Sequence, residues 1–499
     1  MYPLNINSNL GVSLGLNSPL RHLMALITKK NLKKLKQKAN DLLNRTLDQH
    51  VTLAVTGLSR SGKTAFITSL VNQLVNEGNN SQLGFFNVVH QDRFIAAKRV
   101  PQKHLHIGRF EYDRAMTAFS QTEPTWPEPT HGISEMRLAI RYKPKESLLK
   151  YASDTATLYL DITDYPGEWL LDLPMLSQTF EQWSKQTTQL LNTQPRFKSA
   201  ESFIEKVNEI DPFATIDEQL LADLSKEYTE LLLHFRHELG LSVIQPGRFI
   251  LPGELEDAPI LQFFPFTNFE HIDKNAYQNA NDDCFIGMLR ARFIEYKERV
   301  VKDFYKEHFV NFDRQIVLAD CLTPLNNGPE SFADLKMAMT MIMQSFSYGQ
   351  SSIFSRLFAP KIDKLLFAAT KADHVTPEQH KNLVRLLDEL VYQTQHQLNY
   401  DVIEMKTLAL ASVKTTQAGK SRYQGQDIPV LRGKRSENGE LITVFPGAVP
   451  SKLPDEEFWQ KETFNYIRFS PYESIGQHEC LPHLRMDQVM QFLLGDKMK

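Results

Sequence analysis

Cysteine is scarce in this 499-residue sequence, which carries Cys284, Cys321 and Cys480 and no others. Three widely separated thiols build neither a disulfide framework nor a cysteine-rich zinc site, and they fit a reducing compartment. Long apolar runs are missing too: none reaches the ~18 consecutive residues that a membrane-spanning helix needs. Met1 to Pro19 is rich in Asn, Ser and Gly and lacks the basic start and compact apolar block of a secretory signal. A soluble, cytoplasmic protein is expected. An excess of one charge is also absent. Lys and Arg number 56 against 59 Asp and Glu, a net charge of −3. That balance argues against a dedicated nucleic-acid binder. What is present is a chain 42% hydrophobic and 23% charged, able to bury a sizeable core. Its length suits about two to four domains, or one domain with a large insertion.

Along the chain, residues 1–48 read as a basic helical extension. Arg21, Lys29, Lys30, Lys33, Lys34, Lys36, Lys38 and Arg45 face one acid, Asp41, and leucines recur near helical spacing. A packed helix with a solvated basic face is the simpler reading; peripheral contact with an anionic membrane is the alternative. Short apolar runs at Val51–Thr56, Met136–Tyr142, Thr157–Ile162, Gln315–Ala319, Lys364–Ala369 and Leu408–Ala411 read as strands, the second an edge or half-buried one. Residues 82–130 are mixed and end in a Pro/Thr-rich loop. From about 170 to 312 the pattern is helical, clearest at Asp217–Leu239 and Phe285–Phe309. The expectation is an α/β fold with a parallel sheet, split after its third core strand by a helical insertion. The implied divisions are 49–168 and 313–420 for the sheet domain, 169–312 for the insertion, and 421–499 for a C-terminal hairpin and helix. In that last part, Val430–Leu431 and Leu441–Phe445 flank a turn, and Met486–Leu494 reads as the helix.

The strongest signal is Gly57-Leu58-Ser59-Arg60-Ser61-Gly62-Lys63-Thr64, which matches G-x-x-x-x-G-K-[ST] between a strand and a helix. Glycines let the backbone approach phosphates, and the amides around Ser61 to Thr64 point at phosphate oxygens at a helix N-terminus. Lys63 reaches the β and γ phosphates and the Thr64 hydroxyl ligates Mg²⁺. Arg60 is a candidate for neutralising transition-state charge, with a structural ion pair as the alternative.

Two further loops extend the reading. Asp161-Ile162-Thr163-Asp164-Tyr165-Pro166-Gly167 follows a buried strand. Asp164, with the D-x-P-G spacing, suits a Mg²⁺ site, and Gly167 would offer its amide to the γ-phosphate. Thr370-Lys371-Ala372-Asp373 follows the strand at 364–369. An acid there accepts from the paired donors of guanine, which adenine lacks. The stem of Lys371 would lie across the base, and Ser412-Val413-Lys414 would add a backbone contact.

In series, GLSRSGKT, DYPG, TKAD and SVK resemble the Ras-like GTPases of the translation-factor class. More narrowly, GLSRSGKTAFITSLVNQL, GISEMRLAIRY, LYLDITDYPGEWLLDLP and FAATKADHV resemble the YcjX-like family of P-loop GTP-binding proteins, over nearly the whole chain. The resemblance implies a Ras-like domain with a helical addition, GTP/GDP and Mg²⁺ binding, and a stress-related role. It also implies a protein effector, a membrane protein among the candidates. Carried over residue by residue, Gly57, Ser59, Arg60, Ser61, Gly62, Lys63 and Thr64 line the phosphates, with Asp164 on Mg²⁺ and Gly167 on the γ-phosphate. Thr370, Lys371 and Asp373, with Ser412, Val413 and Lys414, take the base. The first-switch threonine on Mg²⁺ is assigned to Thr130, with Thr122, Thr125 and Ser134 as alternatives. Two departures stand out. Thr370 replaces a common Asn, and Glu168 stands where small GTPases carry the Gln that orients the attacking water. Lys63, Arg60 and Glu168 are thus the catalytic candidates, and slow intrinsic GTP hydrolysis is expected.

His104, His106 and His131 show no paired ligand spacing, so no metal site is expected of them. Met337, Met339, Met341 and Met343 suit core packing. The apolar run after Gly167 is expected to be a buried second-switch helix. The competing functions are a P-loop ATPase or phosphotransferase with a helical lid, and a nucleotide-binding scaffold without turnover.

Overall fold

Strands β1 (Gln49–Gly57), β2 (Phe94–Val100), β3 (Gly108–Arg109), β4 (Ser134–Tyr142), β5 (Ala156–Asp164), β6 (Arg314–Ala319), β7 (Lys364–Ala369) and β8 (Glu404–Ala409) make one sheet in the computed structural model. The model describes residues 48–499 apart from 80–81, 131, 146–153, 348–360, 396–402, 462–464 and 477. The basic helix expected within 1–48 lies outside the described residues but for Asp48. The order is β2-β4-β5-β1-β6-β7-β8, with β3 paired to β4. From β5 to β8 all pairings are parallel, and β4 runs antiparallel to both β5 and β2. The central strands are apolar at nearly every position because both faces are covered. Ala54, Val317 and Phe367 join the core on one face, while Leu53, Val55, Ile316 and Leu366 join the core on the other.

Two sequence expectations change here. The strand at 136–142 is interior, because β2 takes the edge. The β2 sequence FIAAKRV lies in the region read as mixed, and an edge strand with mostly exposed side chains carries little apolar alternation. With β2 and β3 present, the helical stretch follows the fifth strand in chain order, where the third was expected.

Every regular element between β5 and β6 is helical among the described residues. Helix α1 (Lys63–Val75) follows the first loop. After β5 come α2 (Glu168–Asp172) and, further on, α3 (Glu218–His237). The Asp217 side chain caps α3 by accepting from the amides of Gln219 and Leu220 at 2.9 and 3.1 Å. His234, Arg236 and His237 occupy its last turn, where the helix dipole favours cations. The helix expected at 285–309 is broken: α-helix to Glu295, a π-turn over Tyr296–Val301, then α-helix to Glu307. The core of this stretch is aromatic and continuous with one face of the sheet, with Trp183, Phe263 and Phe293 mutually packed.

A second sheet contains β9 (Thr416–Tyr423), β10 (Gln426–Arg435), β11 (Leu441–Val444) and β12 (Phe469–Ser470). The expected hairpin is β10–β11, paired from Leu431↔Val444 to Lys434↔Leu441. A longer hairpin, β9–β10, turns at Gln424 and Gly425, both with positive φ, and β9 runs through the division placed at 420. The terminal helix spans Met486–Leu494. The methionines divide: Met339 and Met343 are fully buried, whereas Met337 is 45% exposed.

Candidate functional site

The loops after β1, β5, β6, β7 and β8 leave the sheet at the carboxyl ends of parallel strands. Gly57 pairs with Leu318, Ala319 with Ala369, and Ala369 with Ala409. At ~4.8 Å between neighbours, the ends of β1 and β7 are about 10 Å apart. Lys63 and Asp373, at the start of the elements that follow, therefore belong to loops at the same edge of the sheet. Ligands of open α/β sheets bind at such an edge.

The first loop is built by close approach and left-handed backbone. A Cβ on Gly57 would lie 2.4 Å from Ser61 Oγ and 2.6 Å from the Leu318 carbonyl oxygen. Arg60 and Gly62 take positive φ, at 63° and 82°, so the chain turns at both before α1 begins. The Ser61 amide closes a turn on the Leu58 carbonyl at 3.1 Å. Ser61 Oγ is buried without a hydrogen bond from the described residues.

Asp164 ends β5 with 1% exposure, and neither carboxylate oxygen makes a hydrogen bond among the described residues. Burial pushes its carboxyl up; the charge of Lys63 and the nearby Thr130 hydroxyl pull it back. Thr130 thus comes near enough to favour the charged form without meeting it in good hydrogen-bond geometry. The structure brings Lys63, Asp164 and Thr130 together, and Thr64 and Thr130 line one cavity of about 560 Å³. A buried, unbonded carboxylate beside the Thr130 hydroxyl fits a hard cation. Among the described residues no group of three His, Cys, Asp or Glu could hold a metal. A cation there would take the rest of its shell from water or ligand oxygens. Gly167 packs directly on the first loop, since a Cβ would lie 2.5 Å from the Gly57 carbonyl oxygen.

At the other end, Asp373 is 5% exposed, and its Oδ2 accepts from the Thr415 amide at 2.7 Å and hydroxyl at 2.9 Å. Its Oδ1 lies 3.9 Å from His374 Nε2. Lys371 takes a left-handed φ of 60° and pairs with Asp320. Burial would raise the Asp320 carboxyl, but Lys371 and the Thr323 amide and hydroxyl together hold it below its ordinary value. Thr370, in place of the common Asn, donates its amide to the Ala319 carbonyl at 2.9 Å and its hydroxyl to the same oxygen at 3.4 Å. Of the 412–414 loop, Val413 is buried, and the Lys414 amide donates to the Pro482 carbonyl at 2.6 Å. The residue of this loop that meets the acid is Thr415, one place beyond the segment singled out in the sequence.

The side chains of Arg60 and Glu168 are engaged by the end of α3. Arg60 Nη2 donates to the His237 carbonyl at 2.8 Å. Arg236 donates from Nε to Ser59 Oγ at 3.0 Å and pairs through Nη2 with Glu168 Oε1 at 3.2 Å. Glu168 is 2% exposed, and a Cβ on Gly247 would lie 2.4 Å from its carbonyl oxygen. Farther along α2, Arg248 covers the Trp169 ring at 3.4 Å. Asp172 accepts from the Gly247 amide and, at 2.5 Å, from the Tyr296 hydroxyl at the start of the π-turn. The expected buried second-switch helix is therefore gripped by residues 245–248. Arg236 and Asp320 had no motif to mark them, although an acid closing the strand at 314–319 was visible. Of the three histidines, His104 pairs with Glu135 at 2.9 Å and His131 lies outside the described residues.

No helix among the described residues is long and apolar enough to cross a membrane. The model of the YcjX-like family, DUF463, matches residues 51–498. A protein named Ras-like GTPase YcjX from Escherichia coli K12 is 49% identical over 468 residues, covering 94% of this chain and 100% of the relative. A protein of the same name from Shewanella oneidensis is 42% identical over 483 residues, covering 94% and 99%. With the family's pattern spanning both sheets and the helical stretch between β5 and β6, and relatives aligned along their whole length, this chain belongs to the YcjX-like family.

Proposed function

We propose that this protein is a GTP/GDP-binding molecular switch that hydrolyses GTP slowly. The name Ras-like GTPase carried by both relatives supports guanine-nucleotide binding. The observation that carries the reading is the convergence of three loops on one sheet edge, with the unbonded Asp164 carboxylate beside Lys63. In this reading Gly57 to Thr64 cradle the phosphates, and the Lys63 ammonium sits between β and γ. Thr64, Thr130 and Asp164 would hold Mg²⁺, which when bound neutralises charge shared by those phosphates. The Gly167 amide faces the γ-phosphate. Asp373, steadied by Thr415, accepts from the guanine edge, and the Lys371 stem, tethered at its tip by Asp320, covers the ring.

The slow rate follows from Glu168. It is buried and ion-paired to Arg236, so it is poorly placed to orient water as a free amide would. Calorimetry with GTP, GDP and ATP tests the reading: guanine nucleotides should bind about 100-fold more tightly than ATP. Tighter ATP binding overturns it in favour of an ATPase, and turnover of many GTP per second overturns the slow switch.

The architecture proposed is a Ras-like domain of 49–168 and 313–420 with a helical addition over 169–312 and a C-terminal unit over 421–499. The grip of residues 245–248 on α2 supports the addition as the element that reads the nucleotide state. The stress-related role and a membrane-protein effector follow from the family resemblance. The basic segment 1–48 is proposed to touch anionic membrane. Equal co-sedimentation with anionic liposomes of chains with and without residues 1–48 would defeat that contact.

A further inference from the structure

We infer that Arg236 sets the preference between guanosine tri- and diphosphate by neutralising Glu168. The inference rests on the switch reading above and deepens it. The residue after Gly167 follows directly on a close contact with the first loop, because Gly167 itself sits on the Gly57 carbonyl and the Leu58 amide. An acid there, 2% exposed and accepting no hydrogen bond among the described residues, would face the terminal phosphate with like charge at short range. One guanidinium addresses both sides of the problem. Arg236 pairs with Glu168 at 3.2 Å and holds Ser59 Oγ, inside the phosphate loop, at 3.0 Å.

The pair is held in place by contacts independent of it. Arg60 ties the loop to the His237 carbonyl, next to Arg236, and Gly247 closes over the Glu168 backbone. A neutral Glu168–Arg236 unit lets a triphosphate enter where a lone carboxylate would repel it. A diphosphate, lacking the group that meets Glu168, is much less sensitive. Arg236 is in this sense a positioning and specificity residue that acts through Glu168.

The test is calorimetry on the full chain with GDP and a non-hydrolysable GTP analogue, reading the ratio of the two affinities. Arg236→Gln should lower affinity for the analogue about ten-fold more than affinity for GDP, the scale set by one uncompensated charge. Adding Glu168→Gln to that variant should restore the wild-type ratio to within about three-fold, and Arg236→Lys alone should keep most of it. Glu168→Gln alone, which leaves the guanidinium unpaired, should shift the ratio toward the triphosphate. An unmoved ratio in Arg236→Gln overturns the inference. So does a double variant as poor as the single one, because the arginine would then act on phosphate directly. If Arg236→Gln fails to fold, Glu168→Gln decides alone, and a ratio equal to wild type overturns it. A wild-type protein that binds neither nucleotide defeats the switch reading itself; normal GDP binding with an unmoved ratio defeats only the role of Arg236.

Discussion

The two ends of the proposed nucleotide site are finished differently. At the base end the charged groups have protein partners: Thr415 donates twice to Asp373, Lys371 meets Asp320, and Asp320 also accepts from Thr323. At the phosphate end, Ser61 Oγ, both oxygens of Asp164 and both of Glu168 are buried without hydrogen bonds among the described residues, and Glu168 has only its ion pair. A base is recognised by shape and a few directed hydrogen bonds, so its acid is best fixed beforehand. A cation and phosphates bring charge of their own, so the groups that meet them are held ready at a cost in stability.

The contrast breaks most visibly at Asp164. Asp164→Asn should abolish most Mg²⁺-dependent GTP turnover, by about 100-fold or more, while raising the melting temperature of the nucleotide-free protein. The sign follows from burial. Its carboxyl is pushed up, so its stabilising, protonated form is fully present only below the ordinary carboxylate range. Stability then falls as pH rises through the raised value. The gain in Asp164→Asn should therefore grow with pH; a lower melting temperature at pH 8 would contradict this account. At the base end the effects are purely on affinity. Asp373→Asn should weaken GTP binding by about 10- to 100-fold and improve xanthosine nucleotides. Thr415→Val, removing one hydrogen bond to a charged acceptor, should cost about ten-fold in GTP affinity without changing the preference over ATP. Calorimetry separates the two.

The smallest effect sharpens the comparison away from the proposed nucleotide site. Burial raises the Asp172 carboxyl to about 7, against the opposing hydrogen bonds of Tyr296 and Gly247. Its contribution to stability is present below the ordinary carboxylate range and is lost as pH climbs to about 7. Asp172→Asn, which keeps an acceptor for Gly247 and Tyr296, should flatten that part of the melting-temperature profile. An unchanged slope would show that the grip of residues 245–248 on α2 is insensitive to this charge.

Much of this was legible beforehand because it is local. The strand, glycine turn and helix around Lys63 follow from four apolar residues within Val51–Thr56 and two glycines at set spacing. The acid closing β5 and the acid after β7 mark themselves by following buried strands. Strand β2 was not legible, because an exposed edge has no apolar alternation to read. Thr415 was nearly so, standing next to a segment already singled out.

Sequence alone determined a parallel sheet with a glycine-rich loop after β1 and an acid soon after β7, since both depend on neighbours within a few residues. Only the tertiary structure decided what surrounds Glu168. Arg236 lies 177 positions from Ser59, and its place is set by where α3 ends and how an aromatic core seats that helix. No short-range pattern encodes such a meeting, because packing of distant elements brings the two charges together.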